Sequence, residues 1–493
     1  MTETPQEHLD VLIVGAGISG IGAAVHLKRR LRGKTFAVLE SKPSFGGTWI
    51  THTYPGIRSD SDLHTFGYEF KPWRGKPIAK AEEILAYMAE VIAEHDLTQH
   101  IRYNHTIATA AWSSADRCWT ITGTDTGHEQ PFTITARFLF MCQGYYRHSA
   151  GHRPTWPGTE RFAGPIVHPQ NWPDDLAYAG KRVAVIGSGS TASTLIPAMA
   201  PAVEQITMIQ RSPTYYRSGR NVNELAELLR EVDTPEEWTH EIVRRRMLFD
   251  SSVFTDRCFS EPEVTRDELL EGVRSRLSPE YRHLVEEAFT PRYLPWRERI
   301  AFVPDGDLFE AINSGKATVV TGEIATFTET GIELTNGRHV DADIVITATG
   351  FELNVLGDIA FTIDARPLEF NRTVTYLGAM FTGIPNMVWV FGYLRAAWTL
   401  RADMIAHFVC RLLTHMDEKG AEVVVPKLRP GEDDMPLKPW VDPENFNPGY
   451  LRRGLHLLPQ QGDHTPWLHT QDYWREKDWM RDVDLDDGAL AFE

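Results

Sequence analysis

The sequence predicts an α/β fold that contains two nucleotide-binding units of the Rossmann type. An apolar strand, a glycine-rich turn and a helix follow one another at residues 9–30 and again from residue 182 onwards, the order that such a unit requires. Residues 220–290 are rich in Leu, Glu and Arg at helical spacing, which predicts a helical insertion in the second unit. The 493 residues are too many for a single core.

Three segments follow from this order. Residues 1–146 are predicted to form the first part of one unit, and residues 147–338 to form the second unit with its insertion at about 220–290. Residues 339–493 are predicted to return to the first unit and to end in a tail whose role the sequence does not indicate. The first unit is therefore expected to be discontinuous.

Composition excludes several classes of protein. A net charge of −17 argues against nucleic acid or an anionic membrane as the main partner. The four cysteines have no CxxC or zinc-site spacing, which predicts neither a disulfide nor a metal site and suits a reducing cytoplasm. No run of about 20 apolar residues occurs, so no transmembrane segment is expected. Oligomeric state is not predicted.

The first glycine-rich turn contains three glycines that suit a bound dinucleotide, Gly15, Gly17 and Gly20. They allow a tight turn, a close approach to a pyrophosphate and a close contact between helix and strand. The pyrophosphate then lies at the positive N-terminus of the helix. Glu40 ends the next strand and is predicted to accept hydrogen bonds from a ribose.

The second turn reads Gly187-Ser188-Gly189-Ser190-Thr191-Ala192, with alanine at the third glycine position. The strand that follows ends in Arg211 and Ser212 rather than in an acid. A guanidinium pairs well with a ribose phosphate, so we expect FAD in the first unit and NADPH in the second. The alternative for Arg211 is a solvated loop charge.

Two further stretches carry residues at fixed spacing. The linker between the units has prolines that break helix, and it contains Phe162, Gly164, His168 and Trp172. It is predicted to set the relative position of the units, although its aromatic residues could simply pack. The other stretch runs from Gly46 to Asp60 and includes Gly47, Thr48, Trp49, Tyr54 and Pro55. An isolated Asp such as Asp60 is often only a turn former.

The linker matches FxGxxxHxxxW, and the second stretch matches [A/G]GxWxxxx[F/Y]P[G/M]xxxD at every defined position. On these motifs the chain resembles the class B flavoprotein monooxygenases of the Baeyer–Villiger type over nearly its whole length. The turn at Thr349 and Gly350 is also similar to one in such two-dinucleotide flavoproteins. The resemblance implies an enzyme that uses FAD, NADPH and dioxygen to convert a ketone to an ester or lactone, and that also oxidises sulfides or thiocarbonyls.

The resemblance places the catalytic arginine at Arg299, held by Asp60 near the flavin. A fixed, always protonated cation suits a site in which negative charge develops away from water. Arg297 is a second candidate for the catalytic arginine. In the similar family, the residue that matches Arg395 is Asn. Two other functions stay open: an N- or S-oxidising flavin monooxygenase, and a flavin-binding protein without turnover.

Overall fold

The computed structural model describes residues 7–493. Its strands, in chain order, are β1 Glu7–Val14, β2 Phe36–Leu39, β3 Ile101–Arg102, β4 His105–Ser113, β5 Cys118–Asp125, β6 Gln130–Met141, β7 Ile166–Val167, β8 Arg182–Ile186, β9 Gln205–Gln210, β10 Tyr216–Gly219, β11 Ala301–Pro304, β12 Ala317–Thr321, β13 Ile324–Thr328, β14 Gly331–Leu334, β15 His339–Asp341, β16 Ile344–Thr347, β17 Ala360–Ile363, β18 Arg366–Pro367, β19 Thr375–Tyr376, β20 Met380–Phe381, β21 Met387–Trp389, β22 Val424–Pro426, β23 Lys438–Pro439, β24 Gln460–Gln461 and β25 Leu490–Phe492.

The α-helices, in chain order, are α1 Ile18–Arg30, α2 Thr48–Thr51, α3 Leu63–Phe66, α4 Ala81–Glu94, α5 Ser190–Met199, α6 Glu224–Glu231, α7 Glu236–Ser260, α8 Pro262–Arg276, α9 Leu284–Ala288, α10 Asp307–Asn313, α11 Trp398–Lys419, α12 Gly449–Gly454 and α13 Tyr473–Asp482. The helix-rich stretch at about 220–290 contains α6 to α9.

The first sheet combines strands from both ends of the chain. Its order is β18-β17-β4-β5-β6-β1-β2-β3, and β21 also pairs with β6. β1 runs parallel to β2 and β6, while β4, β5 and β6 form an antiparallel meander. The central strand β1 is buried over its C-terminal half because its side chains are apolar on both faces. β17 and β21 lie far along the chain, so this unit is discontinuous as predicted.

The second sheet is entirely parallel, in the order β12-β9-β8-β16-β7. Helix α5 follows β8 directly, as in a dinucleotide-binding unit. The predicted fold class, an α/β protein with two Rossmann-type units, is confirmed. The exact domain boundaries stay a prediction, with one revision that we propose. Because β16 pairs with β7 and β8, the return to the first unit is better placed after Gly350 than at residue 339.

The C-terminal tail packs onto the first unit. Trp440 and Trp467 are almost fully buried, and the tail strand β25 pairs with β22. The buried side chain of Arg401 on α11 forms an ion pair with Glu476 on α13, 2.9 Å between Nη1 and Oε2. Within residues 7–493, helices that combine the length and the apolar character needed to cross a membrane are absent.

Candidate active site

The first glycine turn lies between the C-terminal end of β1 and the start of α1. Gly15 has φ of +99°, and a Cβ atom there would lie 2.8 Å from the carbonyl oxygen of Cys142. A side chain is therefore excluded both by the backbone conformation and by the end of β6. A Cβ atom at Gly20 would overlap the Gly15 carbonyl oxygen, so helix and turn are in direct contact there. This is the close packing that the three-glycine pattern predicts.

Glu40 lies at the end of β2, beside this turn. Its carboxylate is buried and accepts hydrogen bonds from the backbone N–H of Ala16 at 2.7 Å and of Lys42 at 2.9 Å. These bonds fix the carboxylate against the glycine turn. Its position agrees with the role in ribose binding that the sequence predicts, which stays a prediction.

The loop from Gly46 to Trp49 closes over the first turn. The Gly46 N–H donates to the Ala16 carbonyl at 3.0 Å, and a Cβ atom on Gly47 would lie 3.0 Å from the Cα of Gly17. Trp49 packs edge-on against Phe66 with ring centroids 5.8 Å apart, while Thr48 at the start of α2 is exposed. Glycine backbone from the two motifs thus lies side by side, and such backbone allows the close approach that a flavin dinucleotide needs.

The second glycine turn repeats the geometry of the first. Gly187 has φ of +127°, and a Cβ atom there would overlap the carbonyl oxygen of Ala348, which follows β16. Gly189 has open space around it, since within residues 7–493 no atom outside its chain neighbours lies within 4 Å of where its Cβ would be. Ser190 and Thr191 begin α5 at this opening. The turn fits the pyrophosphate of a second dinucleotide at a helix N-terminus.

Arg211 and Ser212 follow β9 and are exposed. Burial lowers the pKa of Arg453, and the charges of Arg452 and Arg211 lower it further. Three guanidinium groups therefore lie near one another, two of them from helix α12 in the tail. Sequence reasoning missed Arg452 and Arg453 because they are some 240 residues further along the chain.

The linker residues divide between packing and contact with the Gly350 turn. Phe162 is buried against Phe327, and a Cβ atom on Gly164 would overlap the Asp343 carbonyl oxygen. Both therefore have a packing role. Trp172 is half-buried against the core of the second unit.

His168 is buried, and its two ring nitrogens have different partners. Nδ1 accepts from the Gln170 N–H at 3.2 Å, and Nε2 lies 3.2 Å from the Gly350 carbonyl, to which it donates. Burial lowers the pKa of His168 to about 4, so the imidazole is neutral near pH 7. The neighbouring Thr349 hydroxyl donates to the His152 carbonyl at 2.5 Å. The linker is thus attached to the turn where the chain leaves the second sheet.

Two matched variants separate the nitrogen contacts of His168. We expect His168→Gln to keep the donor to Gly350 and most of the activity, and His168→Asn to keep only the acceptor for Gln170. If the linker couples the two units through Gly350, His168→Asn alone lowers substrate oxidation while FAD content is retained. Activity and bound FAD are measured on the same preparations. Loss of FAD or of soluble protein in both variants would instead mean that His168 is a packing residue.

Asp60 and Arg299 form an ion pair at the opening of the second turn. The Arg299 Nη1 lies 3.3 Å from Asp60 Oδ2, and the Ser190 hydroxyl of α5 donates to the same oxygen at 3.3 Å. The two charged side chains are 35% and 41% exposed, so the pair faces a cleft rather than a sealed core. Residues from the FAD motif, from helix α5 and from the segment after the helical insertion therefore meet at one point.

Three phenols surround the charged pair. Tyr145 and Tyr146 follow β6 and share a hydrogen bond between their hydroxyls, and Tyr450 comes from α12. Tyr145 stacks on Trp398, the first residue of α11, at 4.9 Å between ring centroids. Burial works against a charged Arg299, but the nearby carboxylate of Asp60 acts in the opposite direction, and the pKa of Arg299 lies well above the ordinary value. Arg299 is therefore a permanent cation in this cleft.

These tyrosines were not predicted as site residues. The signal that was present is the tyrosine pair directly after a buried strand and Gly144, at the same edge as the glycine turn. Burial raises the pKa of Tyr145 and of Tyr146, so both phenols stay protonated at neutral pH and can donate hydrogen bonds.

Arg297 points away from Asp60. Its Nη1 donates to the Glu444 carbonyl in the tail at 2.9 Å, and its guanidinium lies over the ring of Phe259. Arg395 also contacts Phe259 and donates to the carbonyl oxygens of Trp296 and Asn445. Arg297 and Arg395 thus attach the tail to the helical insertion. Of the two candidates for the catalytic role, Arg297 and Arg299, only Arg299 contacts Asp60.

Taken together, fold and site define a class of protein. Two Rossmann-type units each present a glycine turn and a helix N-terminus, and an aspartate–arginine pair lies where they meet. This is the arrangement of an oxidoreductase that binds two dinucleotides, with the reacting groups between them.

Comparison with known proteins narrows the class to a family. A family model for the NAD(P)-binding Rossmann-like domain matches residues 13–74, and the flavin-binding monooxygenase-like model matches residues 77–223. The FAD-containing monooxygenase EthA of Mycobacterium tuberculosis is 44% identical over 488 residues, which cover 99% of this chain and 98% of EthA. The chain belongs to the family of FAD-containing, flavin-binding monooxygenases.

Solved structures share the fold along the whole chain. An oxidised steroid monooxygenase bound to NADP superposes with a TM-score of 0.75 at 24% identity, covering 98% of this chain and 99% of the other. A cyclohexanone monooxygenase bound to ε-caprolactone superposes with a TM-score of 0.73 at 20% identity, covering 99% and 100%. The overall fold is therefore the one seen in these structures.

Proposed function

We propose that the protein is an NADPH- and dioxygen-dependent FAD monooxygenase that inserts one oxygen atom next to a ketone carbonyl, giving an ester or a lactone. The observation that carries the proposal is the Asp60–Arg299 pair, a permanent cation held beside the second dinucleotide turn by a carboxylate from the predicted FAD motif. Sulfides and thiocarbonyls are further substrates on this proposal. The fold shared with a cyclohexanone monooxygenase bound to a lactone supports a ketone substrate.

The two cofactors would bind to different units. Gly15, Gly17, the Gly47 loop and Glu40 would hold FAD, and the turn from Gly187 to Thr191 would hold NADPH. When bound, FAD supplies the redox chemistry: it accepts a hydride from NADPH and activates dioxygen, so that one oxygen atom reaches the substrate and the other leaves as water.

Arg299 stabilises negative charge in the cleft. Negative charge that develops on oxygen during attack on a carbonyl is stabilised most by a donor that is already oriented and partly shielded from water. The carboxylate of Asp60 holds the guanidinium in one orientation and is itself held by Ser190 and Ser61.

The phenols of Tyr145, Tyr146 and Tyr450 complete this environment. The Tyr450 ring lies 6.1 Å from the ring of Tyr145 and 5.7 Å from that of Tyr146, between centroids, so a third phenol joins this cluster beside Arg299. Tyr146 also packs against Phe351 with ring centroids 4.3 Å apart. Hydroxyl groups and aromatic surface beside Arg299 suit a substrate that combines one polar group with apolar substituents, as a ketone or an organic sulfide does.

A labelling experiment tests this function directly. The purified, FAD-loaded protein is given NADPH, ¹⁸O₂ and a panel of cyclic ketones and alkyl sulfides, and the products are identified by mass spectrometry. We expect esters or lactones that carry one ¹⁸O atom next to the former carbonyl carbon. Labelled sulfoxides or N-oxides without any ester would show the heteroatom-oxidising alternative, and bound FAD without product would show a flavin-binding protein without turnover.

Selectivity for NADPH is expected to depend on Arg211. Loss of a charge-assisted contact to the ribose phosphate costs roughly 1.5–3 kcal/mol, or about 10- to 150-fold in affinity. Arg211→Ala should therefore raise the KM for NADPH by that factor and leave the KM for NADH almost unchanged. Steady-state oxidation of both coenzymes measures the effect.

Arg220→Ala serves as the matched control, because Arg220 is an exposed arginine of the same unit paired with Glu224 on the surface. It should leave both KM values unchanged. Equal losses with NADPH and NADH in Arg211→Ala would show a structural role for Arg211. An Arg452→Ala variant then measures how much the tail contributes to the phosphate site.

A further inference from the structure

Four side chains of the kinds that bind metal ions meet in the first unit, outside the cleft described above. His26 lies on α1, Asp403 and His407 lie on α11, and Glu69 lies in the loop that follows α3. One ligand atom from each of His26, Glu69 and His407 lies within 4.8 Å of the others. Asp403 contacts the same group, with its Oδ1 3.3 Å from His26 Nε2.

The backbone places these groups with little freedom. Asp403 and His407 are one helical turn apart and therefore project from the same face of α11. That face packs on α1, which presents His26, and the ring of His26 is held edge-on by Phe70 at 5.5 Å between centroids. The backbone N–H of Glu69 donates to Asp403 Oδ2 at 3.2 Å, which fixes the loop beside the helix.

The distances suit a small coordination sphere. Ligands at about 2.0–2.2 Å from a metal lie about 3.3 Å from one another in a tetrahedral site, and the ligand atoms of His26, Glu69 and His407 lie within 4.8 Å of one another. Asp403 is the hydrogen-bond partner of His26 at the edge of this group.

Charge favours a divalent ion in particular. Asp403 is 3% exposed, and its carboxylate has only an imidazole and a backbone N–H as partners within the described part of the chain. Glu69 and Asp403 thus place two carboxylates beside two imidazoles, an environment that a divalent cation complements.

We propose that His26, Glu69 and His407 form a binding site for a divalent transition metal ion of the Zn²⁺ class, with Asp403 as the partner that orients His26. Two imidazoles with a carboxylate suit Zn²⁺ and its first-row neighbours better than Mg²⁺ or Ca²⁺, which prefer oxygen ligands alone. This departs from the absence of a metal site that the sequence predicts, because the ligands come from three distant segments. The ion would tie α1, the helix of the first glycine turn, to α11.

Zn²⁺ binding to the full, FAD-loaded chain tests the proposal. The protein is dialysed against a chelator and titrated with Zn²⁺ by calorimetry, and Co²⁺ is used in parallel for its visible absorption as a ligand-sensitive probe. We expect about one ion per chain and a higher Tm in its presence. Glu69→Gln and His407→Gln should each weaken Zn²⁺ binding by at least about 100-fold. Loss of a residue that only supports a metal ligand already weakens binding by up to about 100-fold, and loss of a ligand itself should cost no less.

His415→Gln is the matched control. His415 lies two turns further along α11 and also pairs with a single carboxylate, Asp486, at 3.1 Å. The His415→Gln variant should bind Zn²⁺ with the same affinity as the unaltered chain. Glu69 is 45% exposed, so Glu69→Gln is expected to fold even where His407→Gln is unstable. Absent binding in the unaltered chain, or an equal loss in all three variants, would overturn the proposal and leave an ion-paired network.

Discussion

Ester formation is expected to fall by at least about 100-fold in Arg299→Ala, while FAD and NADPH still bind. This is the scale for deleting one pre-oriented donor to a developing oxyanion. The reason lies in the position of the guanidinium, which Asp60 holds beside the second glycine turn. NADPH should still be oxidised, with dioxygen ending as hydrogen peroxide. Product yield, peroxide yield and NADPH consumption are measured together on one ketone.

Arg297→Ala is the matched control for this variant. Arg297 lies two residues away and is bonded to the tail at Glu444 rather than to Asp60, so ester yield should be nearly unchanged. A normal ester yield in Arg299→Ala together with its loss in Arg297→Ala would reassign the role to Arg297. Normal yields in both variants would mean that neither arginine supplies the catalytic cation.

The largest loss of stability is expected for Glu476→Gln. Arg401 is fully buried, and its Nη1 donates to Glu476 Oε2, which also accepts from the Tyr393 hydroxyl at 3.0 Å. The other oxygen, Oε1, accepts from the backbone N–H groups of Thr470 and Gln471. Removing the charge leaves a buried guanidinium without a counter-ion, which costs about 3–5 kcal/mol. A lower Tm and faster proteolysis of the tail measure the effect.

Arg481→Ala on the same helix is the control for stability. Arg481 pairs with Asp478 and Asp482, but its side chain is 67% exposed. Exposed pairs contribute about 0–1 kcal/mol, so the Tm should change little. A similar, small change in both variants would show that the buried pair does not hold the tail in place.

The sequence by itself determined the parts of the molecule that depend on local chemistry. A glycine that needs a positive φ, a strand buried on both faces and a helix N-terminus each leave a short pattern, and both dinucleotide turns were predicted for that reason. The discontinuous first unit and the fold class followed from the order of these patterns. Asp60 and Arg299 were predicted from a resemblance to a family, and the structure places them in contact.

Only the tertiary structure decided what lies between distant segments. The sequence alone does not distinguish Arg299 from Arg297 as the catalytic arginine. In the structure they have different partners, because the Arg299 side chain reaches Asp60 and the Arg297 side chain reaches Glu444. The same holds for Tyr450 beside Arg299 and for His26 beside His407. No local pattern encodes such pairs, because their contact results from the packing of whole helices and sheets, whose energy is spread over many apolar side chains.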